Sequence, residues 1–160
     1  MGAFSGKQFD LADAYFSLQG VTLSDDEKYL YVSDYIRGVF RVNLDTNGNE
    51  DNIRRVAAPS TSLLKGVDGL YYYENSLIAI HNGSKPFKVM RYFLNDAQRT
   101  IVREEVINRG GASLGEPTLG QIKDGYFYYL ANSPWGAYDL EHNLDLSKTS
   151  PIEIRRYKLD

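Results

Sequence analysis

The chain has 160 residues, and its 18 Lys and Arg against 21 Asp and Glu give a formal net charge of -3. This balance argues against nucleic-acid binding, which usually needs a basic stripe, and no apolar run is long enough for a membrane span. The absence of Cys excludes disulfides, thiolate catalysis and Cys-ligated metals, and two His are too few for a three-His zinc centre. The start Met1-Gly2-Ala3 lacks a basic and an apolar region, so it predicts no signal peptide; the compartment stays unassigned.

The distribution of aromatic residues predicts an all-β protein. The 13 Tyr, 7 Phe and single Trp fall mostly in short runs beside Val, Ile and Leu, and 14 Gly punctuate those runs. Such residues favour a pleated, half-buried surface. The best helical window, residues 95–108, fits a strand better because its apolar residues come in adjacent pairs.

The first predicted repeat spans residues 19–58 and contains four short strand-like segments. In chain order these are Gly20–Leu23, Tyr29–Ser33, Val39–Leu44 and Ile53–Ala57. A polar turn separates the first two segments. The dipeptide Asn47-Gly48 before the fourth is a strong hairpin signal.

The same order of strands and turns recurs in residues 66–107 and 115–160. The segments of the second repeat are Gly69–Tyr73, Ser76–His81, Lys88–Leu94 and Thr100–Val106, and those of the third are Pro117–Ile122, Tyr126–Ala131 and Ile152–Leu159. Asp34, Asn82 and Asn132 follow the second strands, about 50 residues apart, and each third strand carries an Arg at the matching place.

Four strands in a repeat of about 40–50 residues are typical of a β-propeller blade. The alternative is a β-sandwich with accidental spacing. Three blades do not close, because propellers typically have about 4–8. The sequence therefore predicts a single partial domain, half of a six-bladed ring, completed by a second copy in a homodimer or by a missing N-terminal half. The leading segment 1–18 would supply the outer strand that the third repeat lacks.

Polar residues at the starts of the innermost strands form the first candidate site. Gln19, Asp68 and Glu116 each precede such a strand, so their side chains are expected to converge around the propeller axis. Clustered carboxylates repel one another unless a cation joins them, and oxygen ligands suit Ca²⁺ or Mg²⁺. The alternative is that Asp68 is a turn residue and that Glu116 merely precedes a Pro.

A second set of polar residues follows the second strands. Asp34, Asn82 and Asn132 would form a supporting shell around the channel mouth, or they would make Asx turns. His81 is a candidate general base, with a packed, hydrogen-bonded core His as the alternative. Trp135 and Tyr138 would form a substrate wall or would simply pack within their loop.

These segments resemble the gluconolactonase, senescence-marker-protein and paraoxonase group of six-bladed propellers. The resemblance covers most of residues 19–136. Its motifs are Gln19-Gly20-Val21 with residues 31–34, Asp68-Gly69-Leu70 with residues 76–83, and Glu116-Pro117-Thr118-Leu119 with residues 128–136. It implies a divalent cation, usually Ca²⁺, in the channel, with Asp68 at a ligand position. Gln19 stands where the group usually has Asn, and Glu116 where an acidic ligand can occur.

The resemblance also implies an activity, the hydrolysis of a lactone or ester, with the metal polarising the carbonyl of a small-molecule substrate and activating water. The sequence departs from the group because Gln19 is longer than Asn and half of the ring is missing. The alternative function is a non-catalytic propeller that binds a protein or a glycan through its channel face.

Overall fold

The computed structural model describes residues 17–45, 52–111 and 114–160. Residues 1–16 of the predicted leading strand and the Asn47-Gly48 turn lie outside this part of the chain. In the described ranges the chain is an all-β, partial β-propeller built from three antiparallel sheets. No helix in those ranges has the length and hydrophobicity that a membrane span requires.

Each sheet is one blade, and its strands follow one another in space as they do in sequence. The first blade contains β1 (Leu18–Leu23), β2 (Tyr29–Asp34), β3 (Gly38–Asn43) and β4 (Ile53–Arg55). The second contains β5 (Val67–Tyr73), β6 (Ser76–His81), β7 (Lys88–Leu94) and β8 (Ile101–Arg109). The third contains β9 (Gly120–Lys123), β10 (Tyr126–Leu130) and β11 (Ile154–Lys158).

The long connection between β10 and β11 contains two single-turn 3₁₀ helices, Trp135–Ala137 and Leu146–Lys148. Asp145 caps the second of them by accepting a hydrogen bond from the Ser147 backbone N–H. In the described residues β11 is the outermost strand of the third blade, as the sequence predicted for the last repeat.

Two hydrophobic cores hold the blades face to face. Tyr31 and Val39 of the first blade pack with Leu77, Ala79 and Tyr92 of the second. The opposite face of the second blade packs on the third, in a core that contains Ile78, Ile80, Val89, Phe127, Tyr129 and Ala131. All six residues of β6 are buried because both faces of the second blade are covered.

The innermost strands approach so closely that side chains are excluded between them. A Cβ atom on Gly20 would lie 2.6 Å from the Leu70 backbone nitrogen, so only glycine lets β1 lie directly against β5. The Thr22 hydroxyl Oγ1 accepts a hydrogen bond of 3.0 Å from the Tyr72 backbone N–H across the same contact. These contacts fix the first blade against the second.

Two glycines join the end of β6 to the loop that precedes β5. Gly66 has a φ of +70°, and a Cβ on it would lie 2.9 Å from the Gly83 Cα. The Gly66 carbonyl accepts hydrogen bonds from the backbone N–H groups of Asn82 and Gly83, and its own N–H donates to the Tyr35 carbonyl. This contact positions Tyr35 and Asn82, which both belong to the candidate site described below.

We expect Gly83→Ala to lower the free energy of unfolding by about 1–3 kcal/mol, because the added methyl group meets the Gly66 backbone. Gly136→Ala is the control, since a Cβ there has nothing within 4 Å. Urea denaturation of the three proteins measures the difference. Equal stability of the two variants would show that the Gly66–Gly83 contact is not tight.

Candidate functional site

A β-bulge interrupts β1 and β5 at the same level, and a matching pair of backbone hydrogen bonds just before β9 gives the equivalent position in the third blade. In the second blade the bulge falls between Val67 and Gly69, at Asp68. In the first it falls between Leu18 and Val21, the stretch that contains Gln19. Bulges are often found where a strand presents a side chain to a site.

The third blade has the corresponding bulge at Thr118. The Leu130 carbonyl accepts from the Thr118 N–H at 3.2 Å, whereas the Leu130 N–H donates to the Leu119 carbonyl at 3.0 Å. Two residues of the inner strand therefore face one residue of β10. Thr118 matches Asp68, and the predicted equivalence of Glu116 with Asp68 is wrong by two residues. The Pro117 that follows Glu116 concealed this offset in the sequence.

The second strands show a similar offset in the first blade. Leu18 pairs with Asp34 and Val67 pairs with His81, so Asp34 is equivalent to His81, and Tyr35 is equivalent to Asn82. The Asp34 side chain is buried, and its Oδ1 accepts hydrogen bonds from the backbone N–H groups of Ile36 and Arg37. Asp34 thus makes the Asx turn that the sequence analysis left as its alternative.

Four side chains from all three blades form a hydrogen-bonded group that we call the Asp68 cluster. Its members are Tyr35, Asp68, Asn82 and Thr118. Asp68 Oδ2 accepts from Asn82 Nδ2 at 3.0 Å and from Thr118 Oγ1 at 2.8 Å. Asn82 Oδ1 in turn accepts from the Tyr35 hydroxyl at 3.1 Å, and Asn82 Nδ2 also donates to the Pro117 carbonyl.

The charge of Asp68 acts on groups beside the cluster. Burial, followed by the charges of Asp68 and then Glu116, raises the pKa of the Tyr35 hydroxyl, so this phenol stays protonated and donates to Asn82. Burial and the Asp68 charge likewise raise the pKa of the Glu116 carboxyl, while Lys85 acts in the opposite direction. Glu116 therefore lies within electrostatic reach of Asp68, although it is not the equivalent residue.

The remaining members of the predicted site make other contacts. Gln19 is exposed, and its Nε2 donates to the Ser17 hydroxyl. Asn132 holds the long loop of the third blade: its Nδ2 donates to Ser150 and to the Pro151 carbonyl, and its Oδ1 accepts from the Glu153 N–H. The structure thus joins Asp68 and Asn82 directly, keeps Glu116 nearby, and gives Asn132 a role in loop packing.

His81 is a core residue, only 1% exposed. Its Nδ1 lies 3.2 Å from the Lys65 carbonyl and its Nε2 lies 2.9 Å from the Tyr92 hydroxyl. In the neutral tautomer with the proton on Nδ1, Nδ1–H donates to the Lys65 carbonyl, and Nε2 shares the single Tyr92 hydroxyl proton with the Leu63 carbonyl, which lies 3.1 Å from that hydroxyl. His81 is therefore the packed, hydrogen-bonded core His that the sequence analysis gave as the alternative to a general base. Both of its ring nitrogens are engaged in hydrogen bonds within the core.

Trp135 and Tyr138 lie on the loop after β10, with their ring centroids 6.2 Å apart. Trp135 is 64% exposed and Tyr138 is 41% exposed, so the loop does not bury either ring. A cleft of about 500 Å³ opens elsewhere, along residues 55–64 after β4, and the residues of the Asp68 cluster do not line it.

The sequence matched no family model and no curated protein. A solved structure that it resembles is the PQQ-bound form of the aldose sugar dehydrogenase from Streptomyces coelicolor. The TM-score is 0.50 at 10% sequence identity, and the match covers 90% of this chain and 44% of that chain. This likeness supports the propeller fold alone. The chain spans less than half of that protein's length, and the gluconolactonase-type assignment stays a prediction.

Tyr35 and Thr118 are the two cluster residues that the sequence analysis did not assign to the site. An aromatic residue after a strand and a Thr after a Pro are common, so composition gave no signal for either. The positions of the bulges supply the missing signal. Tyr35 occupies in the first blade the position that Asn82 has in the second, and Thr118 occupies in the third blade the position of Asp68.

We expect Thr118→Val to lower the free energy of unfolding by about 1–2 kcal/mol, because a hydrogen bond to a half-buried carboxylate is lost. In an Asp68→Asn background the same change should cost less, since the acceptor is then neutral. A double-mutant cycle in urea measures the difference. Equal costs in both backgrounds would mean that Thr118 does not act through the Asp68 charge.

Burial, with a smaller effect of Lys88, lowers the pKa of His81 from 6.5 to about 4. Between these values the unfolded chain binds a proton that the folded chain does not, so stability falls as the pH drops from about 6.5 to 4 and His81 adds no further loss below 4. The predicted loss is about 3 kcal/mol.

The dependence of unfolding on pH checks this expectation. His81→Gln should flatten the curve in this range, whereas His142→Gln, in an exposed loop, should leave it unchanged. A curve for His81→Gln that is parallel to the wild-type curve would contradict the assignment.

Proposed function

We propose that the Asp68 cluster binds a divalent cation, Ca²⁺ or Mg²⁺, and that the chain is part of a metal-dependent propeller hydrolase acting on a lactone or ester. The observation that carries this proposal is a hydrogen-bonded group drawn from three blades at one level of the inner strands. Asn82 and Thr118 donate to the same Asp68 oxygen, and Tyr35 donates to Asn82. Packing alone does not require these side chains to meet, because polar groups at strand ends can instead form hydrogen bonds with water or in Asx turns.

The candidate ligand atoms are oxygens, which a hard cation prefers, but they are fewer than its usual coordination number. They are the carboxylate oxygens of Asp68 and Glu116 together with the neutral oxygens of Asn82 and Thr118. Residues 17–45, 52–111 and 114–160 contain no group of three or more His, Cys, Asp or Glu side chains that would hold a metal ion. Water molecules or groups outside these ranges would therefore complete the coordination shell.

The electrostatics of the two carboxylates favour the same ligand. Burial and then the charge of Asp68 raise the pKa of Glu116, the second because two negative charges disfavour each other at close range. A cation between them would relieve this repulsion. Lys85 already offsets part of this repulsion, and a divalent cation would offset more of it.

The side chains around Asp68 would position the reacting groups. A bound divalent cation would polarise the substrate carbonyl and lower the pKa of a bound water. Thr118 and Asn82 hold Oδ2 of Asp68, and Tyr35 fixes the orientation of the Asn82 amide. Both hydrogen bonds from these residues reach Oδ2, which leaves Oδ1 to face a ligand. His81 takes no part, since its nitrogens bond within the core.

The exposure of Trp135 and Tyr138 favours a second function, the binding of a glycan by a non-catalytic propeller. Exposed aromatic rings present flat apolar surfaces, and their polar edges can donate hydrogen bonds. In the hydrolase proposal these two rings form a wall for a small-molecule substrate. In the alternative they would bind the glycan without any chemical step.

Calcium binding to the full chain separates these functions. We expect isothermal titration calorimetry to detect Ca²⁺ or Mg²⁺ binding, and Asp68→Asn to weaken it by about tenfold or more, which is about 1.4 kcal/mol. Asn keeps the shape and one oxygen but removes the charge. Asp96→Asn, in the exposed turn after β7, is the matched control and should bind like the wild type.

The thermal midpoint gives an independent readout, because a ligand that binds the folded state raises it. If neither Ca²⁺ nor Mg²⁺ raises the midpoint or gives a heat of binding, the hydrolase proposal fails. Glycan binding that Trp135→Ala abolishes and Asp68→Asn leaves intact would then support the second function.

A further inference from the structure

Among the described residues, the first and the third blade each have one sheet face with no neighbouring blade on it. On the first blade, alternation along β1 and β2 places Val21, Leu23, Leu30 and Val32 on the side away from the second blade. We call this the first end face. Val21 is 60% exposed and Leu23 is 46% exposed. Val42 pairs with Leu30 on the same face and is only 7% exposed, so the exposed part of this face lies along β1. In the second blade Leu70, Leu77 and Ala79, the counterparts of Val21, Leu30 and Val32, are buried.

The third blade presents the other such surface, which we call the second end face. Tyr126, Tyr128, Leu130 and Ile154 lie on it and point away from the core that Phe127 and Tyr129 form with the second blade. Their cross-strand partners on the same face are the exposed residues Gln121, Lys123, Arg156 and Lys158, so this face is mixed and carries positive charge. Ile154 is 68% exposed, and it lies opposite Leu130 in the β10–β11 ladder.

The two end faces are complementary halves of one repeating interface. The first blade packs its Tyr31 face on the Leu77 face of the second blade. In the same way, the second blade packs its Ile78 face on the Phe127 face of the third. Tyr128 is the third blade's counterpart of Tyr31 and Ile78, which pack on the following blade. The second end face is therefore the face that would pack on a following blade, and no following blade is present among the described residues.

The first end face is the matching receiving face. Leu30 and Val32 are the counterparts of Leu77 and Ala79 in the second blade, and of Phe127 and Tyr129 in the third. Both counterpart pairs are buried against a preceding blade. The chain therefore carries one unused copy of each half of the interface that already joins its own blades.

We propose that a second copy of this chain docks on both end faces, head to tail. The first end face of each copy packs on the second end face of the other, and a two-fold axis closes a ring of six blades. Six lies within the usual range of about 4–8 for closed propellers.

Closure would also enlarge the candidate site. The two Asp68 clusters would lie around a common axis, each on the inner strands of its own copy. The docking proposal itself depends on the fold and not on the proposed hydrolase activity, so either can fail alone.

The first measurement is the mass of the full chain in solution, by light scattering after size exclusion. A closed pair gives twice the chain mass of 18.1 kDa, at a value that does not grow with concentration. A folded monomer overturns the proposal. A mass that increases steadily with concentration also overturns it, because head-to-tail contacts that do not close form open chains.

The second measurement uses charges on the two end faces. Val21→Lys and Ile154→Glu each alter a side chain that is at least 60% exposed within one copy, so each should fold and should run as a monomer. Leu140→Glu is the control, since Leu140 is 94% exposed and lies outside both faces, and it should remain a dimer. Circular dichroism confirms the fold of all three variants.

Mixing the two monomeric variants tests the head-to-tail arrangement. The mixed pair has one unaltered interface and one in which Lys and Glu occupy opposite faces, so equimolar mixing should restore the dimer mass. Variants that each remain dimeric would show that these faces are not the interface. Failure of the mixture to form dimers would point to a contact of each face with itself and would overturn the head-to-tail proposal.

Discussion

The packing of one blade on the next is the constraint on which the rest of this structure depends. In this propeller the first two blades lie face to face with their innermost strands in contact, and β1 meets β5 at a distance that only Gly20 permits. The apolar faces supply the driving force: the second blade, covered on both sides, buries every residue of β6. In the described residues, the first and the third blade each lack a neighbouring blade on one face.

The same constraint brings the polar residues together. Because the innermost strands lie side by side, their bulges fall at one level, and Asp68 receives hydrogen bonds from its own blade and from the third. The Gly66–Gly83 contact brings Tyr35 of the first blade to Asn82. A carboxylate held by neutral donors, with a second carboxylate nearby, is a site with spare negative charge. The cation and hydrolase proposals both follow from this imbalance.

Exposure distinguishes the candidate residues better than residue type does. Asp34 and His81 carry groups that are typical of active sites, yet both are buried and both bond to the backbone nearby. They occupy equivalent positions, one step before Tyr35 and Asn82. Side chains alternate along a strand, so a shift of one residue exchanges a core position for a position at the site. This is why Tyr35, and not Asp34, meets Asn82.

The sequence by itself determined the all-β class, the repeat of about 50 residues and nearly every strand, because alternation, turn residues and Gly are local signals. It also singled out Asp68 and Asn82. Only the tertiary structure decided which residues are equivalent, since a bulge adds one residue without changing composition, and this changed the membership of the candidate site from Glu116 and Asp34 to Thr118 and Tyr35. It also decided that His81 belongs to the core, because burial depends on the strands that pack around a residue and not on the residue itself.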